Sequence, residues 1–267
     1  FDTPEASVEA FSFLASYRSN QELLMQTPGP FGRSSEPDVE GARLIIEGVL
    51  AEGRTQLSEL ESKAILMAFG VPVVETVEAT TASQALVVAE SIGFPLVMKI
   101  NSPDITHKTD VNGVRLNIQT AGAIRTTFNE LIADVKAKRP DATITGVTLQ
   151  SMVRHPHGRE TMVGVVRDPV FGPAISFGAG GTTVEVIRDS FVSLPPLNRF
   201  IAGQTIERTR INRLLGAFRN MPPVNREALE NVLLRVSELV CELPHLVEMD
   251  INPLIVDEHG AVAVDAR

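Results

Sequence analysis

At 267 residues, 43 % of them hydrophobic, the chain has enough apolar material for one large or two ordinary domains, which excludes a disordered or fibrous protein. Its net charge of −9 opposes non-specific binding to nucleic acid, whose phosphates it would repel. The one cysteine, Cys241, excludes an internal disulfide framework, no Cys/His cluster has zinc-ligand spacing, and neither a membrane span nor a secretory signal is present. A soluble chain in the reducing cytoplasm is expected, with no nucleic-acid or membrane partner.

The opening FDTPEASVEAFSFLASYRSNQELLMQTP predicts one amphipathic helix. Asp2-Thr3-Pro4-Glu5 marks its start, and Val8, Phe11, Leu14 and Tyr17 fall at helical spacing. PGPFGRSSEPD then reads as a linker. Residues 1–28 are assigned to the end of an upstream domain, 29–40 to the linker and 41–267 to the main body. From Gly41 onward, helices are expected at 41–53 and 57–69, a strand at Val71 to Val74, a helix at 81–92, a buried strand from Pro95 to Ile100 and a helix near 120–138. Between 143 and 194 strands dominate: TGVTLQSMV, ETMVGVVRD, PAISFGAG, TVEVIRD and FVSLPP. Helices return at about 197–203, 209–217 and 225–242. Two last strands, VEMDINPLIV and AVAVDA, are joined by the turn Asp257-Glu258-His259-Gly260. This order predicts an α+β fold with two lobes, 41–115 and 116–267.

Common nucleotide motifs are missing. No Gly-Lys pair exists for a P-loop, Gly178, Gly180 and Gly181 lack the third glycine of a dinucleotide fingerprint, and there is no G-x-S-x-G elbow. Lys99 ends the apolar run Phe94-Pro95-Leu96-Val97-Met98. Its ammonium either meets phosphates at a cleft or snorkels to solvent. His107 and Lys108 sit in the polar loop SPDITHKTDVNGV, where a neutral imidazole can accept a phosphoryl group. Gly178-Ala179-Gly180-Gly181-Thr182 follows a strand; its N–H groups can approach an anion, or it is an ordinary turn. Asn252 and Asp265 lie on strands joined by a short hairpin, an amide oxygen and a carboxylate suited to Mg²⁺ on nucleotide phosphates. Glu248 and Asp250 share one strand face nearby, and solvated acids on an edge hairpin are the plainer alternative. Cys241 is assigned to the apolar helix repeat Val232, Val236, Leu239, Val240, Leu243 as a small core residue. The run Arg208, Arg210, Arg213, Arg219 reads as a solvated face or an anion site, and His155 and His157 as a solvated turn or a metal chelate.

Taken together, PLVMKI, SPDITHKTDVNGV, GRETMVGVVRDPVFGPAISFGAGGTTVEVIRD and VEMDINPLIVDEHGAVAVDA resemble the ATP-grasp domain of NDP-forming acyl-CoA synthetases, relatives of succinyl-CoA synthetase, from about residue 41 to the end. The pair DPVFGP and GAGG and the DINPL hairpin are the most specific parts. The resemblance implies an ATP-grasp fold whose two α+β lobes clamp ATP or ADP. It places Lys99 on the nucleotide phosphates, Gln150, Met152 and Val153 on a hinge strand beside adenine, Glu160 near the ribose, Gly180 and Gly181 at the phosphate region, and Asn252 and Asp265 on Mg²⁺. It makes His107 a phosphohistidine relay in an acetate–CoA ligase (ADP-forming) reaction, an acid–thiol ligation in which acyl-CoA, ADP and phosphate give carboxylate, CoA and ATP. The first phosphohistidine then belongs to a CoA-binding partner domain or subunit, whose end the opening helix resembles. Asn112-Gly113 departs from the two glycines common in relatives. SLPPLNRFIAGQTIERTR further resembles long proteins in which such a region is fused to a GNAT-type protein lysine acetyltransferase. There it senses nucleotide or acyl-CoA rather than catalysing.

Overall fold

Helix α1 (Pro4–Leu24) starts where Thr3 Oγ1 accepts the Ala6 N–H at 3.2 Å. The structure, a computed structural model, describes residues 3–25, 36–105, 107–153, 155–181 and 189–267, and it separates residues 1–34 from 35–267 as two units. In the first unit the apolar stripe Val8, Phe11, Leu14 and Tyr17 is exposed. Most of the expected linker and most of the TVEVIRD segment lie outside the described residues. No helix among the described residues is long and apolar enough to cross a membrane.

The second unit opens with α2 (Val39–Ala51), capped by the Asp38 carboxylate on the Gly41 N–H at 2.9 Å. Next is α3 (Glu59–Ala68), started by a capping box in which Ser58 and Glu61 satisfy each other's backbone N–H. A four-stranded antiparallel sheet follows in the order β1-β4-β2-β3. Its strands are β1 (Thr76–Ala79), β2 (Leu96–Asn101), β3 (Val114–Ile118) and β4 (Gly146–Ser151). Alternation divides its faces. Leu96, Met98, Ile100, Val147 and Leu149 share a core with α4 (Ala82–Ile92) and α5 (Ala121–Lys138). Their neighbours Lys99, Thr148 and Gln150 are therefore on the opposite face, and all three are buried.

A five-stranded antiparallel sheet runs β7-β6-β5-β8-β9. It comprises β5 (Arg159–Asp168), β6 (Gly172–Ala179), β7 (Ser190–Ser193), β8 (Glu248–Val256) and β9 (Ala261–Ala263). Three helices accompany it, α6 (Arg199–Glu207), α7 (Asn212–Leu215) and α8 (Arg226–Glu242). Ala42, Ile46, Ile65, Leu66 and Phe69 from α2, α3 and the end of α3 join this second core, with Val163, Phe177, Leu233, Ile251 and Leu254.

The expected α+β architecture is therefore present, built on two sheets, but the lobes are divided elsewhere. The 115/116 boundary cuts through β3, because β3 and β4 pair with β2. Residues 42–71 pack with the second sheet instead of the first. The first lobe is an excursion, about residues 76–151, from a body built by both ends of the unit. Val71 to Val74 forms only a bridge, Val73 to Ala263, since Pro72 has no N–H to donate to a ladder. Cys241 is exposed. At about 100° per residue it lies roughly 140° around α8 from Val236 and the centre of the apolar stripe.

Candidate active site

The polar face of β2 delivers Lys99 into a buried ion cluster. Lys99 Nζ lies 2.8 Å from Glu59 Oε1 and 3.1 Å from Asp265 Oδ2. Glu59, the first residue of α3, also pairs with Lys63 one turn on at 3.1 Å and with Lys108 at 2.9 Å. Burial raises the Glu59 carboxyl, but Lys99, Lys108 and Lys63 outweigh it and pull the group down to about 2. Lys99 moves the other way: burial lowers it, and Asp265 and Glu59 more than offset that, holding it above the usual lysine range. Lys63 is lowered by burial, with Glu59 opposing. Its ammonium donates to Gln150 Oε1 at 3.0 Å, tying β4 to the cluster.

Asp265 is placed by the C-terminal segment, which runs beside β8 beyond β9. Asn252 N donates to Asp265 O at 3.2 Å, and Asp250 and Arg267 exchange two backbone bonds of 2.8 and 2.9 Å. Asn252 Oδ1 accepts the Gly181 N–H at 2.8 Å, and Gly180 N donates to Glu160 O at 2.9 Å. Gly181 has φ +76°, and a Cβ there would meet the end of the Glu160 side chain, so the backbone conformation favours glycine. The Asp250 carboxyl is pushed up by burial; Arg267 opposes this, while Asp265 and Glu248 add to it.

His107 is exposed at the tip of its loop. Its Nε2 lies 3.3 Å from Arg267 Nη1. The loop is closed by Gly113 N to Lys108 O at 2.6 Å and Ile100 N to Gly113 O at 2.7 Å. Asn112 adopts φ 55°, a left-handed conformation asparagine tolerates, so this chain keeps the turn with one glycine. His107, Lys108, Glu59, Asp250, Asn252, Asp265 and Arg267 all line one cleft of about 870 Å³.

Residues 48–267 match the family described as ATP-grasp domain. The chain belongs to that family. Acetate–CoA ligase [ADP-forming] I subunit beta of Pyrococcus furiosus is 42 % identical over 229 residues, which cover 86 % of this chain and 97 % of that one. Acetate–CoA ligase [ADP-forming] I of Archaeoglobus fulgidus is 39 % identical over 85 % of this chain, but that match spans only 33 % of the longer relative. Among solved structures, an acetyl-coenzyme A synthetase 1 of Ca. Korarchaeum cryptofilum with coenzyme A and Ca-AMPCP superposes with a TM-score of 0.81 at 36 % identity, covering 84 % of this chain and 97 % of that one. Another structure of that enzyme, with TM-score 0.74 and 33 % identity over 85 % and 98 % of the two chains, holds Mg-AMPPCP with a phosphohistidine segment pointing towards the nucleotide binding site.

Set on this ATP-grasp frame, the expected site residues divide into two groups. His107, Asn252 and Asp265 line the cleft, and Lys99 adjoins it through Asp265. Gln150, Met152, Val153, Glu160, Gly180 and Gly181 do not line it. Gln150 reaches the ion cluster through Lys63, and Gly181 donates to the cleft-lining Asn252. The Met152 N–H donates to Pro95 O at 3.0 Å and is not free for a base. Glu59, Lys63 and Arg267 were not anticipated. Glu59 reads locally as a helix-start acid beside a capping box, and nothing local signals lysines 40 and 49 positions away. Elsewhere, His155 and His157 bond Asp257 and Glu258 respectively. Arg208 and Arg219 stack on Phe191 and Phe218.

Proposed function

We propose that this ATP-grasp domain binds ATP or ADP with Mg²⁺ and exchanges a phosphoryl group between nucleotide and His107, as the nucleotide-side module of an ADP-forming acyl-CoA synthetase. The observation that carries this reading is one cleft lined by both the Asn252–Asp265 pair and the His107 loop, with Lys99 bonded to Asp265. A nucleotide in that cleft would present its phosphates to a fixed ammonium on one side and an imidazole on the other.

The donor set suits Mg²⁺. Asn252 and Asp265 offer hard oxygens from adjacent backbone, and no group of three or more His, Cys, Asp or Glu among the described residues is arranged to hold a metal. Two protein ligands with the rest from phosphate and water is the usual Mg²⁺ arrangement in phosphoryl-transfer sites. When bound, the ion would offset charge on the transferring oxygens. Lys99 would hold the phosphates, Gly180 and Gly181 would border them, and Gln150, Met152, Val153 and Glu160 would flank the adenosine. His107 would form the covalent carrier.

The CoA-binding part belongs to a partner subunit or another domain, with residues 1–28 as the end of such a domain, 29–40 as the linker and 41–267 as the ATP-grasp domain. The cytoplasm is the proposed location. The relatives named above are ligases, which favours a catalytic module over a sensor serving a fused acetyltransferase.

The test is incubation of the chain with Mg²⁺ and γ-labelled ATP. Label is expected on His107 and absent from His107→Asn; equal labelling of both proteins removes the relay. Joined to a CoA-ligase partner, the wild-type chain is expected to form ATP from acyl-CoA, ADP and phosphate, and His107→Asn is not.

A further inference from the structure

Resting on the relay reading, we propose that Arg267 directs phosphorylation to Nε2 of His107 and then holds the phosphoryl group on that nitrogen. A guanidinium has only donors. With Nη1 at 3.3 Å, Nε2 is the acceptor nitrogen of the ring, and in the neutral imidazole the proton then resides on Nδ1. Only the unprotonated nitrogen has a lone pair with which to attack phosphorus, once the Arg267 N–H gives way to it. Arg267 therefore selects both the tautomer and the attacking atom.

The geometry also provides for the product. The Arg267 backbone is locked to Asp250 by a pair of hydrogen bonds, so its side chain extends from a fixed base at the cleft wall. The His107 side is held as well, because the next residue, Lys108, is bonded to Glu59 on α3. In the step, the Nε2 lone pair forms an N–P bond to the γ-phosphorus. The bond from that phosphorus to its bridging oxygen breaks, ADP leaves with the electron pair, and Nδ1 gives its proton to water. Arg267 then exchanges a ring nitrogen for phosphoryl oxygens, a bidentate partner its planar fork fits better. The return to ADP reverses each bond change.

The experiment uses the full chain, ¹⁵N-labelled at histidine, with Mg²⁺ and γ-³²P-ATP for rates and ³¹P–¹⁵N NMR for the position of the N–P bond. Wild type is expected to carry phosphate on Nε2. Arg267→Gln is expected to label about a hundredfold more slowly, with Arg267→Lys recovering part of the rate. Circular dichroism identifies a variant that fails to fold, and the isomer found on wild type is independent of any variant. Phosphate on Nδ1, or a folded Arg267→Gln labelled at the wild-type rate, overturns this inference alone. No label on the wild-type chain overturns the relay reading and this inference with it.

Discussion

Replacing Glu59 by Gln keeps the shape of the side chain and removes the negative charge from among three ammonium groups, Lys63, Lys99 and Lys108. Lys63 and Lys99 are buried, and among the described residues Asp265 would remain as the carboxylate partner in contact with Lys99. A carboxyl held at about 2 against an ordinary 4.5 corresponds to about 3 kcal/mol favouring the ionised folded state. That agrees with the ~3–5 kcal/mol cost of removing one partner from a buried ion pair. The sign follows from the lowered folded value. The stabilisation is complete above the unfolded value, near 4.5, and is lost as pH falls from there towards 2. Urea unfolding of wild type and Glu59→Gln at neutral pH is therefore expected to show the variant about 3 kcal/mol less stable. The gap should narrow as both are titrated from about pH 5 to pH 3, closing only towards pH 2. Equal stability at neutral pH, or a gap that does not change with acid, would refute the hub assigned to Glu59.

Three further outcomes are expected. Lys108→Met releases the His107 loop from α3 and should slow labelling of His107 about tenfold through lost positioning, with a smaller change in KM for ATP; steady-state labelling at varied ATP measures both. Gly181→Ala meets both a positive φ and the Glu160 carboxylate. It should cost about 1–3 kcal/mol of folding stability, read by urea unfolding of the two proteins. Cys241, exposed on α8, should react with a thiol reagent in the native protein at alkaline pH, whereas a core thiol would react only after denaturation.

Periodicity made much of the fold readable. The apolar run before Lys99 gave β2 with its ammonium on the polar face, and the alternation in Thr148-Leu149-Gln150 carries the same message one strand over. The Asp257–Gly260 turn formed as its residues dictate, with Asp257 Oδ1 accepting from His259 and Gly260 N–H at 2.9 and 3.0 Å. What stayed hidden was set by distant partners. The helical spacing of α2 and α3 shows that each has an apolar face but not which sheet covers it, and the second sheet does. Cys241 was misplaced because it is adjacent in sequence to an apolar stripe while angularly remote from it.

The same topology explains why the ion cluster sits where it does. α3 is anchored in the core of the second sheet through Ile65 and Leu66, yet its first carboxylate bonds Lys99 and Lys108 of the excursion that forms the first lobe. Lys99 in turn bonds Asp265, which follows the last strand of the second sheet. Glu59 therefore closes a circuit from the body to the inserted lobe and back. If a nucleotide draws Lys99 and Asp265 towards phosphate and Mg²⁺, Glu59 still holds two lysines, so its charge is never left buried and unpaired. A single carboxylate shared by three lysines thus allows one cation to be lent to a ligand without dismantling the seam. A lone Lys99–Glu59 pair would have to break outright and leave the buried Glu59 carboxylate without a partner.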